Sequence, residues 1–121
     1  MTPWWRKRKT RQKGDGVGKL LFYELREAEL QGATAVRFGV SDGDHFTVFY
    51  TIDGTEREFQ NPPMYVWSDL VKEAVLQAGG VLGQRPPFEG QMRLEGLSSE
   101  WTAAYSGLDT DLRFTRCATE D

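Results

Sequence analysis

Near the start of the chain, apolar residues recur every three or four positions, which is the period of an amphipathic helix. These positions are Val17, Leu21, Leu25 and Ala28. The acidic residues Glu24, Glu27 and Glu29 are expected mostly elsewhere around this helix. Gly32 predicts the end of the helix, because glycine adopts the left-handed conformation that follows many helices without steric cost.

The pattern then changes to an alternation of apolar and polar residues, which is the period of a β-strand. Residues 35–40 and 45–52 alternate in this way and predict two consecutive strands. Asp53-Gly54 follows the second strand, and this dipeptide is the strongest short-range signal for a hairpin turn. We therefore expect the chain to return in a short third strand around Arg57–Phe59.

Asn61-Pro62-Pro63 interrupts the strands, and a second helical pattern follows. Its apolar face comprises Trp67, Leu70, Val71, Ala74 and Ala78. Two starts are open, with Pro63 as the first helical residue or Ser68 as the N-cap. Gly79-Gly80 predicts the end of the helix. Three further strands are expected at Gln91–Glu95, around Trp101–Tyr105, and at Asp111–Thr115.

This order of elements, α-βββ-α-βββ, predicts an α+β domain with a mainly antiparallel sheet and both helices on one face. The strand residues expected to meet the helices in one core are Val36, Phe38, Val48, Tyr50, Ile52, Leu112 and Phe114. The other face of the sheet should then carry mostly polar side chains, at Arg37, Thr47, Thr51, Arg93, Arg113 and Thr115.

Phe49 falls on this polar face, where an exposed aromatic ring is a candidate contact for a partner protein. The residues that we take as candidate partner contacts are Arg37, Phe49, Thr51, Arg93 and Arg113. A second and plainer interpretation of Phe49 is also open at this point. In that interpretation its ring belongs to a small second apolar cluster beneath the 97–108 segment.

Charge is distributed unevenly along the chain. Residues 1–13 contain six basic residues and no acidic ones, so this segment carries +6 and, since the whole chain is −3, the remainder carries −9. Gly14, Gly16 and Gly18 predict a flexible joint behind it. We therefore divide the chain into a basic flexible arm, residues 1–17, and a single α+β domain, residues 18–121.

The arm combines tryptophan with basic residues, a composition that suits an anionic membrane surface or an acidic protein partner. The same composition suits nucleic acid, which it would bind through phosphate contacts and base stacking, whereas the plainest interpretation is a solvated arm. The candidate contact residues are Trp4, Trp5, Arg6, Lys7, Arg8, Lys9, Arg11 and Lys13.

Motifs for catalysis or cofactor binding do not assemble in this sequence. Gly18-Lys19 matches the end of a phosphate-binding loop, but Lys13 stands where its first glycine belongs and Leu20 replaces its hydroxyl residue. His45 and Cys117 are each the single residue of their kind, and neither has the partners of a metal or nucleophile site. We predict no enzymatic activity, no metal and no cofactor.

The cysteine content and the hydropathy of the chain predict the cellular compartment of the protein. A single cysteine excludes an internal disulfide and favours the reducing cytoplasm. No apolar run approaches the ~20 residues that cross a bilayer. We expect a cytoplasmic protein, placed peripherally at the inner face of the membrane if the arm binds lipid.

Four short segments, at Gly32–Phe38, Phe49–Gly54, Pro86–Gln91 and Asp111–Thr115, follow one another in a familiar order. With them, the chain from about Gly18 to Arg116 resembles the PAS-like N-terminal domain of the motor ATPases of type II secretion and type IV pili. The motifs of that family are Ala-Ser-Asp-Ile-His, Arg-x-Arg-[Ile/Val]-Asp-Gly, Pro-Gln-[Asp/Glu]-Gly-Arg and Asp-[Leu/Val]-Arg-Val-Ser.

The resemblance implies a stand-alone, degenerate relative of that domain, which contacts other proteins of a secretion or pilus machine. In the family, arginines of this domain reach towards nucleotide held by the ATPase domain. Phe49 and Thr51 occupy the matching positions here, and neither pairs with phosphate as arginine does. The ATPase domain, with its Walker A motif, has no counterpart in this sequence.

Two other classes stay open. One is a small-ligand sensor module, because PAS-like sheets enclose pockets. The other is an adaptor that binds anionic membrane or nucleic acid through its basic arm.

Overall fold

The computed structural model describes residues 15–40, 43–81, 83–106 and 112–117. Two helices and six strands follow one another in these residues, with a short 3₁₀ turn at Met64–Val66 before the second helix. Their bounds are α1 Asp15–Leu30, β1 Ala35–Val40, β2 Phe46–Ile52, β3 Thr55–Gln60, α2 Trp67–Gln77, β4 Phe88–Met92, β5 Trp101–Tyr105 and β6 Leu112–Arg116.

All six strands form one sheet in the order β3-β2-β1-β6-β5-β4, and every neighbouring pair is antiparallel. Each half of the chain contributes three strands that lie side by side, and the pairing of β1 with β6 joins the halves at the centre of the sheet. The predicted α+β class with an antiparallel sheet is confirmed.

Two turns follow from residues that tolerate a left-handed backbone. Asp53 and Gly54 have φ values of 54° and 79°, as a two-residue turn between β2 and β3 requires. Gly32, with φ of 78°, follows α1 and lets the Ala33 amide donate to the Ala28 carbonyl. The predicted hairpin and the predicted end of the first helix are both confirmed.

Both helices pack on the same face of the sheet. Apolar side chains from α1, from α2 and from the strands form one buried cluster there. Its largest fully buried side chains are aromatic, namely Trp101, Tyr50, Phe38, Phe46 and Phe114. The predicted core residues lie in this cluster, although Ile52 and Val71 are only partly buried at its edge. Packing of the two amphipathic layers thus accounts for the arrangement.

Strand β4 begins three residues earlier than predicted, at Phe88 instead of Gln91. Its core-facing positions alternate as Phe88, Gly90 and Met92, so a glycine hides the apolar alternation in the sequence. Gly90 is needed because the end of α2 lies against it, and a Cβ atom there would overlap the carbonyl oxygen of Ala78.

Both predicted starts of α2 are wrong. The helix begins at Trp67 with Val66 as its N-cap, and Pro63 instead precedes the 3₁₀ turn. The predicted glycine joint is also wrong from Asp15 to Gly18, because these residues already belong to α1. Packing overrides the low helix propensity of glycine here, since Gly18 lies close to Glu73 of α2.

Within the described residues, no helix is both long and apolar enough to cross a bilayer.

Candidate functional site

The face of the sheet that points away from the helices carries the candidate partner contacts. Val36 and Phe38 point towards the helices, so Arg37 between them points to the opposite face. Strand register places Arg37 opposite Phe49 on β2 and opposite Arg113 on β6. We call this side the open face, because α1 and α2 both pack on the other side.

A continuous row of cross-strand neighbours spans the open face from one edge of the sheet to the other. Each residue of the row pairs with the next, in the order Glu89, Ala104, Arg113, Arg37, Phe49 and Glu58. The row therefore places two arginines and one aromatic ring at the centre of the face, with a carboxylate at each edge.

Arg37 is held in one orientation on this face. Its guanidinium carbon lies 4.3 Å from the centroid of the Phe49 ring. Its Nε donates to Oε2 of Glu56 at 2.8 Å and its Nη2 donates to Oε1 at 3.0 Å, a bidentate pair. The two side chains are 31% and 41% exposed, so this hydrogen-bonded pair is accessible from solvent.

The charges of the open face act on one another. The hydrogen bond from Arg37 lowers the pKa of Glu56, and the nearby charge of Arg113 adds to the effect. Like charges placed directly opposite on neighbouring strands are destabilising. Glu56 lies beside this pair of arginines and offsets part of their mutual repulsion.

Gly39 makes room for this arrangement. A Cβ atom on Gly39 would lie only 2.7 Å from Nη1 of Arg37 and 3.6 Å from the Phe49 ring. The glycine therefore leaves the space in which the guanidinium lies over the ring. No pattern in the sequence indicated this role, because the contact depends on strand register.

Beyond Arg113 the open face becomes concave. A hollow of about 420 Å³ lies there, lined by Arg113, Ala104 and Glu89 of the row and by Pro87 and Ser106 beside it.

Thr51 lies on β2 two residues after Phe49 and is half-buried on the same face. Thr47, predicted on this face, is buried, and its hydroxyl accepts a hydrogen bond from Nδ2 of Asn61 at 2.8 Å.

Arg93 lies beyond the end of β4, so its predicted place within a strand of the open face is wrong. Strand β4 ends at Met92, and Arg93 lies beyond it with 74% of its side chain exposed. Its Nε is 3.5 Å from Oε2 of Glu100, and it borders a groove that Leu21 of α1 and Glu73 of α2 also line. The incorrect bounds of the strand caused the incorrect placement.

Phe49 lies on β2, and strands β1 and β6 separate β2 from β5 in the 97–106 segment, so the second interpretation of this ring fails in the described residues. That segment packs on the α1 side, where Glu29 accepts hydrogen bonds from the backbone and hydroxyl of Ser98 and from the Ser99 amide. Trp101 Nε1 donates to the same carboxylate at 3.0 Å. Burial acts to raise the pKa of Glu29, but these hydrogen bonds outweigh it and lower the pKa overall.

A buried carboxyl group was missed entirely. Glu24 is fully buried between α1 and the sheet, contrary to the expectation that it lies elsewhere around the helix. The Tyr50 hydroxyl donates to Oε1 of Glu24 at 2.9 Å, and Oε2 has no hydrogen-bond partner among the described residues. Burial raises the pKa of Glu24 to about 7, against the lowering effect of the Tyr50 hydrogen bond. Its spacing of three from Leu21 was the available signal.

The residues predicted as arm contacts, from Trp4 to Lys13, lie outside the described residues. Across the described ranges, no three His, Cys, Asp or Glu side chains cluster closely enough to hold a metal ion.

No family model matches this chain, and no curated protein is significantly similar to it.

Proposed function

We propose that this domain is a non-catalytic protein-interaction or assembly module whose binding surface is the open face of the sheet. The observation that carries the proposal is the ordered Arg37, stacked on Phe49 and paired to Glu56 on an accessible sheet face. Arginine and aromatic side chains are enriched among the residues that dominate binding energy at protein interfaces. A side chain that is already ordered also loses less entropy when a partner binds.

The row of charges indicates the chemistry of the partner. Arg37 and Arg113 lie directly opposite each other on neighbouring strands, and two guanidinium groups placed in this way suit a partner that brings a carboxylate between them. The hollow beside Arg113 would receive a protruding side chain of that partner. The partner surface that fits best is therefore acidic at its centre and apolar where it meets Phe49.

The open face offers groups that bind, namely guanidinium, a phenyl ring, a hydroxyl and a paired carboxylate. Covalent catalysis needs a nucleophile within hydrogen-bond reach of a base, and the described residues of this face present no such pair. This supports a binding role for the domain rather than an enzymatic one.

The proposal extends to the finer fold assignment and to the family. We propose a PAS-like domain, as a stand-alone relative of the N-terminal domain of secretion and pilus motor ATPases. The support is that the resembling segments fall on β1, on the hairpin at Asp53-Gly54 and on β6. The partner would then be a component of such a machine, met in the cytoplasm or at the inner membrane face.

A sensor that holds a ligand between sheet and helices fits less well. In the described part of the chain that space is occupied by fully buried aromatic side chains, including Trp101, Tyr50 and Phe38. The filled core favours the protein-interaction module over this alternative.

Site-specific photo-crosslinking in host cells tests the proposal. A photoreactive amino acid replaces Thr51 on the open face or, as a control, Tyr65, which is 74% exposed in the 3₁₀ turn before α2. We expect a discrete protein adduct from position 51 and none of the same mass from position 65. Adducts from position 65 alone, or from neither position, would contradict the proposed surface.

A further inference from the structure

A second concave surface lies beside α2, on the helix side of the sheet and apart from the open face. One side of α2 forms a wall, with Trp67, Val71 and Val75 facing the space. The segment after the helix forms the opposite wall through Val81, and Tyr105 of β5 also lines the space. The cleft has a volume of about 300 Å³.

The lining of this cleft is mainly apolar and partly in water. Trp67 and Val75 are buried, Val71 is half-buried, and Val81 is 62% exposed. An exposed valine facing buried apolar side chains across a cleft leaves apolar surface that a ligand would remove from water. The volume lies at the lower end of the range for small-molecule pockets, roughly 300–1,000 Å³.

One rim of the cleft adds a cation and a hydroxyl. Ser68 and Lys72 both line the cleft, and they lie four residues apart on α2, so their side chains are neighbours on the helix surface. Neither the Ser68 hydroxyl nor the Lys72 ammonium has a hydrogen-bond or ion-pair partner within the described ranges. An ammonium beside a hydroxyl is complementary to a carboxylate.

We propose that this cleft binds a small carboxylate with an aromatic or branched aliphatic body. The body lies between α2 and Val81, and the carboxylate lies at Lys72 and Ser68. Walls on three sides favour a compact molecule over an extended peptide. Tyr105 lines both this cleft and the hollow beside Arg113, but the open-face proposal rests on Arg37, Phe49 and Arg113, so the two proposals stand or fall separately.

An NMR titration of the full chain tests this site. The ligand probe is 4-phenylbutyrate, and the matched uncharged probe is 4-phenylbutan-1-ol. We expect the carboxylate to shift the backbone amide signals of Val71, Val75, Val81 and Tyr105, and to bind at least fivefold more tightly than the alcohol. Equal binding of the two probes, or no shifts around the cleft, would overturn the proposal.

Two variants and a control locate the anion contact. Lys72→Met keeps the apolar stem of the side chain and should weaken binding of 4-phenylbutyrate at least fivefold. Lys19→Met is the control, because Lys19 is exposed on α1 and is the only other lysine after residue 14. Val81→Asp should abolish binding, and its exposed position leaves the fold intact. Binding that is unchanged by Lys72→Met, or lost equally in Lys19→Met, rules the site out.

Discussion

The buried carboxyl of Glu24 predicts that the free energy of unfolding depends on pH in an unusual direction. Its side chain lies in the core with one oxygen bonded to Tyr50 and the other without a partner in the described residues. Burial disfavours the charged form, so the pKa is raised from its ordinary value of 4.5 to about 7. Between these two pH values the folded chain keeps a proton that the unfolded chain has lost.

The sign follows from proton linkage. Stability from this group is fully present below pH 4.5 and falls as the pH rises, until the folded carboxyl also ionises near pH 7. A pKa difference of this size corresponds to a loss of about 3 kcal/mol across that window. Most carboxylates of folded proteins act in the opposite direction, so this contribution is recognisable.

Glu24→Gln removes the titration and keeps an oxygen that accepts from Tyr50. Urea unfolding followed by tryptophan fluorescence, between pH 4.5 and 7.5 at constant ionic strength, measures the effect. We expect the variant to gain about 3 kcal/mol relative to the parent chain across this range. Glu58→Gln, at an exposed position of β3, is the control for general charge effects. If the parent and Glu24→Gln give parallel stability curves, Glu24 does not carry a buried proton and the reasoning is refuted.

Three further predictions concern the packing and the arm. Gly90→Ala should cost about 1–3 kcal/mol of unfolding free energy, because its Cβ meets the end of α2, whereas Gly18→Ala should be neutral or stabilising. Glu29→Gln should cost about 1–3 kcal/mol of unfolding free energy at pH 7 in urea unfolding, and it should shift the indole NH signal of Trp101 in NMR spectra. Because the pKa of Glu29 is lowered from its ordinary value of 4.5, this loss should shrink as the pH falls below 4.5. Deleting residues 1–13 should leave the thermal midpoint nearly unchanged and abolish salt-sensitive binding to anionic vesicles; equal vesicle binding by the truncated chain would contradict this.

Sequence periodicity was sufficient for the strands with strict alternation. In β1 and β2 the alternation of Val36 and Phe38, and of Val48 and Tyr50, gave the face that packs on the helices, and Asp53-Gly54 gave the turn. These signals are local, because strand period and turn chemistry depend on neighbouring residues. The placement of Arg37 and Phe49 on the open face followed from them.

Features that depend on contacts between distant segments could not be predicted. Gly90 hides the apolar alternation of β4 because α2 lies against it, and the misplaced strand then misplaced Arg93. The role of Gly39 depends on Arg37 turning back over Phe49. Glu24 follows the apolar spacing of α1, but its burial needs the Tyr50 hydroxyl of another element.

The central claim is that the open face binds the partner. The most direct test is to measure how tightly variants of the open face bind the partner that is captured at position 51. Arg37→Ala and Arg113→Ala remove the two central cations, and Arg26→Ala removes an exposed arginine from α1 as the matched control. With folding of each variant verified by NMR, calorimetry should show binding weakened at least about tenfold by each of the first two changes, which corresponds to about 1.4 kcal/mol. The control should change affinity less than about twofold. Equal affinities of all three variants for the partner would contradict the claim that the open face is the binding surface.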